Sequence, residues 1–172
     1  MRRKALAIPL AAVFLLYSCS AATAQAYINL AVGIALQIAQ LAGLSSSAAG
    51  QVSGDLAVVN KFIADYKAAD ANAKPGILAE IDTYLTTAEN DLMAILTASH
   101  VTDPKKQEAI RAGIAIAVTA VESIRALEGA HPNAVARAAR TVPGVPKRSG
   151  SPAQLKNLYN QTVRDYPQAQ LH

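Results

Sequence analysis

The side chains able to do chemistry are few in this 172-residue chain, and they are scattered. Glu128-Gly-Ala-His131 has the i, i+3 spacing of a metal-ligating Glu-x-x-His pair on one helix face. A di-metal bundle site needs two such pairs on two helices and two further inward-facing glutamates. Only one copy is present, and Pro132 places its histidine at a helix end, so the pair reads as a solvated helix terminus. His100 lies just before a helix start at Asp103 and suits the negative C-terminal end of the helix before it. His172 is the last residue, and three dispersed histidines with one cysteine make no zinc site. Glu80, Asp82, Glu89 and Asp91 are carboxylates of the type used in general acid–base work. At i, i+2 the members of each pair point to different helix faces, and they read as a charged, solvated face. The sequence holds no Gly-x-Ser-x-Gly, no phosphate-cradling glycine loop and no dinucleotide fingerprint. The expectation is a protein that is not an enzyme and has no cofactor, metal or small-molecule substrate. Asn160-Gln-Thr162 is a glycosylation sequon, which counts only in a compartment that glycosylates.

Cys19 is the exception, because its surroundings suggest a covalent fate. "MRRK" is a basic start and "ALAIPLAAVFLLY" (5–17) an apolar run of thirteen residues, the order and length of an export signal and too short to span a bilayer. Leu16-Tyr17-Ser18-Cys19 then resembles the bacterial lipobox: an aliphatic residue, a small residue before the cysteine, and the cysteine that takes the lipid. Tyr17 departs from the small or aliphatic residue usual at its position. The rival is ordinary secretory cleavage after Ala22-Thr23-Ala24 or Ala24-Gln25-Ala26, both small-x-small. The lone cysteine falls at the one position where the lipobox needs it, so lipidation at Cys19 is expected. As the single cysteine it forms no intramolecular disulfide, and the fold must rest on packing.

Composition narrows the fold. Hydrophobic residues make up 52% of the chain while aromatics are 5% and Trp is absent, so alanine and the aliphatics supply the apolar character. Such a composition favours helices over strands. The net charge of +4 misleads about partners, because Arg2, Arg3 and Lys4 belong to the export signal. The remaining charge is segregated: residues 55–128 carry a net −4 and residues 129–172 a net +5. An acidic core with a basic tail gives no ground for a specific nucleic-acid partner.

Periodicity sets out the elements that must position these residues. Residues 27–44 form an apolar helix with Asn29, Gly33, Gln37 and Gln40 on one narrow arc, and a small-residue stripe of Ala31, Ala35, Ala39 and Gly43. Three amides are costly in hydrocarbon, which favours packing inside a bundle over contact with lipid. "SSSAAGQVSG" (45–54) reads as a flexible linker, with Ser53 or Asp55 capping a helix over 56–70. "ANAKPG" (71–76) breaks that helix. Leu78, Ile81, Leu85, Ala88, Leu92 and Ile95 follow a 3-4-3-4-3 spacing, the seam of the next helix. Asp103 caps and Pro104 starts a helix to about Glu128, presenting Ile110, Ile114, Ala117, Val121 and Ile124 and its own small stripe of Ala109, Gly113 and Ala117. Residues 129–151 form a basic Pro/Gly linker, and Ser151, Pro152 and Gln154 make a capping-box start for a short terminal helix in 152–172. Its apolar face would be Leu155, Leu158, Tyr159, Val163 and Tyr166.

The expected architecture is an all-α antiparallel bundle of about four helices, with a basic, partly disordered tail and a short terminal helix. The domains are a lipoprotein-type signal (1–18), an apolar helix and linker (19–54), the bundle core (55–128), the basic linker (129–151) and the terminal helix (152–172). The expected function is that of an exported, lipid-anchored envelope protein acting by binding. Its partners are the membrane through Cys19, an anionic surface through Arg137, Arg140, Lys147 and Arg148, and a protein or a second copy through its helix faces. The alternative is a membrane-active protein, a small pore-former or a phage-type lysis or exclusion factor, using the apolar segments 5–17 and 27–44.

Overall fold

The structure, a computed structural model, describes residues 11–70, 72–127 and 150–172, with side chains from Ala22 onward. Five α-helices fill most of these residues: α1 (Ala11–Leu41), α2 (Ser46–Ala68), α3 (Lys74–Ala98), α4 (Pro104–Leu127) and α5 (Pro152–Thr162). A 3₁₀ turn follows at Pro167–Ala169, and the described residues contain no strand. The fold is all-α and its first four helices form an antiparallel bundle.

Four of the helices close a ring: α1 packs on α2 and α4, α3 packs on α2 and α4, and α1 and α3 meet only weakly across the middle. Asp55 on α2 lies beside Asp91 on α3, and further along α2 the Phe62 ring lies 5.9 Å from that of Tyr84. Partner numbers on α3 fall as those on α2 rise, the mark of antiparallel neighbours. α5 lies against α1 and α4. It starts beside Tyr27, whose hydroxyl donates to the Gly150 carbonyl at 2.8 Å. By Tyr159 it has reached Gly113, so it runs parallel to α1. The bundle therefore has a proximal end, where α1 enters, α2 and α4 finish and α3 and α5 begin. Its distal end holds the α1–α2 and α3–α4 turns.

α1 is longer than its expected span. One unbroken helix of 31 residues runs from Ala11, within the apolar run, through Cys19 and both small-x-small sites into the core. From Ala24 its inner side chains, among them Ile34, Ala35, Ile38 and Ala39, are buried in the bundle. Its expected fourth small residue, Gly43, has another role. At φ +74° it ends α1, with its N–H on Gln40 O and the Leu44 N–H on Ala39 O at 3.0 and 2.9 Å, the paired bonds of a Schellman turn.

The expected linker over 45–54 is helical instead, and forms the first turns of α2. Ala49 and Val52 are completely buried and continue the spacing of Leu56, Val59 and Ile63 back toward the N-terminus. Gly50 and Gly54 stand on the exposed side, where each costs about 1 kcal/mol of helix propensity relative to Ala. Burial of the seam outweighs that cost. Ser53 and Asp55 are thus mid-helix residues; the N-cap position is Ser45, whose hydroxyl pairs with Ser47 at 2.6 Å rather than with the helix amides.

α3 begins at Lys74, inside the expected break, with Pro75 in its first turn. Asp70 Oδ1 accepts from the amides of Asn72 and Ala73 at 2.9 and 3.0 Å and shapes the preceding turn. Ile81, Leu85, Ala88, Leu92 and Ile95 are buried as their spacing requires, and Leu78 at the helix start is half-buried. The Asp103 carboxylate accepts from the Lys105 amide at 3.0 Å, the expected cap of α4.

α4 is the central helix. Its expected apolar face is buried, but so is every residue from Ala112 to Arg125. Alanine and glycine on the remaining faces let neighbours approach closely: a Cβ on Gly113 would sit 2.6 Å from Ile38 Cδ1 and 3.2 Å from the Tyr159 ring. Thr119 and Ser123 return their hydroxyls to the carbonyls one turn back, both at 2.8 Å, so neither exposes an unmet donor to the core.

The terminal helix has its capping box, with Ser151 and Gln154 bonded reciprocally. It ends at Thr162, short of the expected 172, and the residues after it fold back over the bundle. Tyr159 Oη donates to Ala169 O at 2.8 Å. Asn160 binds both backbone groups of Leu171 at 2.9 Å, and Leu171 rests on Gly33 of α1.

Candidate functional site

The most unusual chemistry in the described residues is a charged cluster between α3 and α4. Asp82, Thr86 and Glu89 follow at i, i+4 and i+7 on one face of α3, and Glu122 and Arg125 at i, i+3 on α4. The Arg125 side chain is only 1% exposed. Its Nε donates to Asp82 Oδ1 at 2.6 Å, Nη1 to Glu89 Oε1 at 3.0 Å and to Glu122 Oε1, and Nη2 to Thr86 Oγ1 at 3.0 Å. The Glu89 and Glu122 side chains are 0% and 3% exposed, while Asp82 at 53% opens to solvent.

Glu89 overturns part of the sequence-based expectation. The acidic residues flanking the α3 seam are not all solvated, because Glu89 sits next to Ala88 on the side turned toward α4. A carboxylate buried there requires a cation, and the planar five-donor guanidinium of Arg125 can serve several acceptors at once. The cluster ties two helices together. Arg125 is closed to solvent, which leaves a substrate no approach to the guanidinium. The signal was present in the sequence: Glu122 and Arg125 are the charged residues in an otherwise apolar or small stretch of α4, and Asp82 and Glu89 are seven apart beside a seam.

A second acidic contact joins α2 and α3. Asp91, also expected on a solvated face, is half-buried beside Asp55. Burial, and then the charge and hydrogen bonding of Asp91, hold the Asp55 carboxyl above the ordinary aspartate range.

Among the described residues no group of three or more His, Cys, Asp or Glu side chains is placed to hold a metal. His100 is exposed in the α3–α4 turn, two residues beyond the end of α3. A surface cavity of about 300 Å³ lies between the start of α4 and the end of α5, lined by residues including Lys105, Glu108, Arg164 and Asp165. Its charges are mixed, and Arg164 pairs loosely with Asp165 at 3.8 Å. Asn160 of the sequon has its amide engaged by Leu171, which gives it a structural role.

Of the residues singled out from the sequence, Cys19 lies on the α1 backbone with its side chain outside the described residues. Arg137, Arg140, Lys147, Arg148 and the Glu128–His131 pair also lie outside them. One described helix, Ala22–Leu41 near the N-terminus, is long and apolar enough to cross a membrane, and half of that stretch is buried within the bundle. Comparison with family models, with curated proteins and with solved structures returns no match.

Proposed function

We propose that the chain is an exported cell-envelope protein, a helical bundle held at a membrane through Cys19 and acting by binding rather than by catalysis. The observation that carries this reading is the position of the core relative to the candidate cleavage sites. Cleavage before Cys19 keeps every described core residue. Cleavage after Ala24 or Ala26 removes Ala24, which is completely buried. Cleavage after Ala26 also makes Tyr27, a buried residue bonded to Gly150, the charged N-terminus of a core helix; a positive charge there opposes the helix dipole. Two or three acyl chains hold a protein firmly where one holds it weakly.

Intact mass of the mature protein tests the reading. The expected species begins at Cys19 and carries a diacylglyceryl group, and Cys19→Ser should release the protein to the soluble fraction. A mature N-terminus at Gln25 or Tyr27 overturns it. In the same reading Arg137, Arg140, Lys147 and Arg148 add a reversible contact to an anionic surface. The membrane-active alternative draws on the length and apolar character of Ala22–Leu41. It requires Ile34 and Ile38 to leave the bundle, and predicts that the Cys19→Ser protein resists carbonate extraction.

A further inference from the structure

α1 runs from Ala11 past Cys19 into the bundle without a break, so attachment at Cys19 also fixes which end of the domain meets the membrane. From Cys19 to Ala24, the first buried side chain described, five residues of helix rise about 7.5 Å. That distance leaves no flexible arm between an anchor and the bundle. The end reached is the proximal one. Tyr66 is half-buried and Lys67 exposed at the close of α2, Lys74 places its ammonium 5.1 Å from the centre of the Tyr66 ring, and Leu127 at the end of α4 is 40% exposed. Neighbouring acids are engaged: Asp65 pairs with Lys61 at 3.2 Å and Asp70 with the turn amides. Tyrosine, lysine and an exposed apolar side chain together suit the boundary between headgroups and acyl chains. The distal end has exposed serines where α2 begins, Ser45–Ser47, and also carries Lys105 and Tyr166, so the short span from Cys19 is what selects the proximal end.

We propose that the proximal end lies against the bilayer, with Tyr66, Lys67, Lys74 and Leu127 at headgroup level and the Ser45–Ser47 turn facing away. This rests on the membrane-attached reading above. Because the chain contains no Trp, single tryptophans report position without interference. Ala73→Trp marks the proximal end, Asn72→Trp is a second probe there, and Ser47→Trp marks the distal end, about 32 Å from the close of α2. All three positions are exposed, and helical circular dichroism checks the fold of each variant.

The full-length protein, processed in its host, is reconstituted in vesicles with and without phospholipid brominated on its acyl chains. The proximal probes should lose more than half their emission to bromine, while Ser47→Trp changes little. Equal quenching at both ends, or stronger quenching at Ser47→Trp, overturns the orientation. Intact mass of the same samples separates the two ideas. A lipidated Cys19 with unquenched proximal probes overturns the orientation and leaves the attachment standing. An unlipidated protein free of the vesicles overturns both.

Discussion

Arg125 joins α3 to α4 through the carboxylates of Asp82 and Glu89 and the hydroxyl of Thr86, and holds Glu122 on its own helix; the worth of that cluster depends on which member is removed. Taking one partner from a buried ion pair costs about 3–5 kcal/mol, because the remaining charge loses its compensation in a low dielectric. Arg125→Ala should therefore destabilise by that order in a denaturant titration. Asp82→Asn, at the solvent-facing edge, should cost much less. Asp55 makes the pH-dependent case. Its folded carboxyl binds a proton more tightly than the unfolded one, so its contribution favours the fold at low pH. That contribution fades as pH rises from the unfolded to the folded value. Asp55→Asn should consequently raise the melting temperature at pH 7, and the gain should shrink toward acid. A gain independent of pH would show that ionisation of the Asp55 carboxyl, disfavoured by burial and by Asp91, is not its source.

Helices with a regular apolar spacing are held by their seams. Leu85 and Leu92 are completely buried, and Leu→Ala at such a position costs about 2–5 kcal/mol. Either substitution should lower the melting temperature by many degrees, while Glu80→Ala on the exposed face serves as the control and should shift it little. The α3 seam, the Asp103 cap, the Ser151 box and the antiparallel bundle were legible because each rests on local spacing, a short capping pattern or short connections. The first turns of α2 were not read. Serine and glycine propensities pointed to a linker, whereas Ala49 and Val52 already continued the seam. The Arg125 cluster was missed for a different reason. Whether a carboxylate beside a seam faces water or another helix depends on what that neighbour offers, and the pairing of α3 with α4 is a tertiary fact. Burial around α4 was understated because alanines seldom register as a face in a periodicity count.

At the scale of the molecule, charge separation between the acidic bundle and the basic stretch is the remaining functional lead. Each basic residue near an anionic bilayer contributes about 1 kcal/mol. The test neutralises Arg137, Arg140, Lys147 and Arg148 to glutamine in the Cys19→Ser protein. Truncation is unsuitable, since α5 and the residues after it cover α1 and α4. The unneutralised protein should bind vesicles containing anionic lipid at low salt and release as the Debye length falls below about 8 Å. The neutralised protein should bind weakly at every salt concentration. Identical binding by both would assign these residues the role of a spacer.

The clasp of Asn160 on Leu171, with Leu171 on Gly33, has a consequence in time. A chain is made from its N-terminus, so α1 is among the first helices available and the last to be covered. α4 and α5 must be delivered before the faces of α1 that they cover can close, and the patch around Gly33 waits for residue 171. Closure of that patch is thus deferred until residue 171 has been made. In the exported reading proposed above, that delay would keep the chain open for passage through a narrow channel.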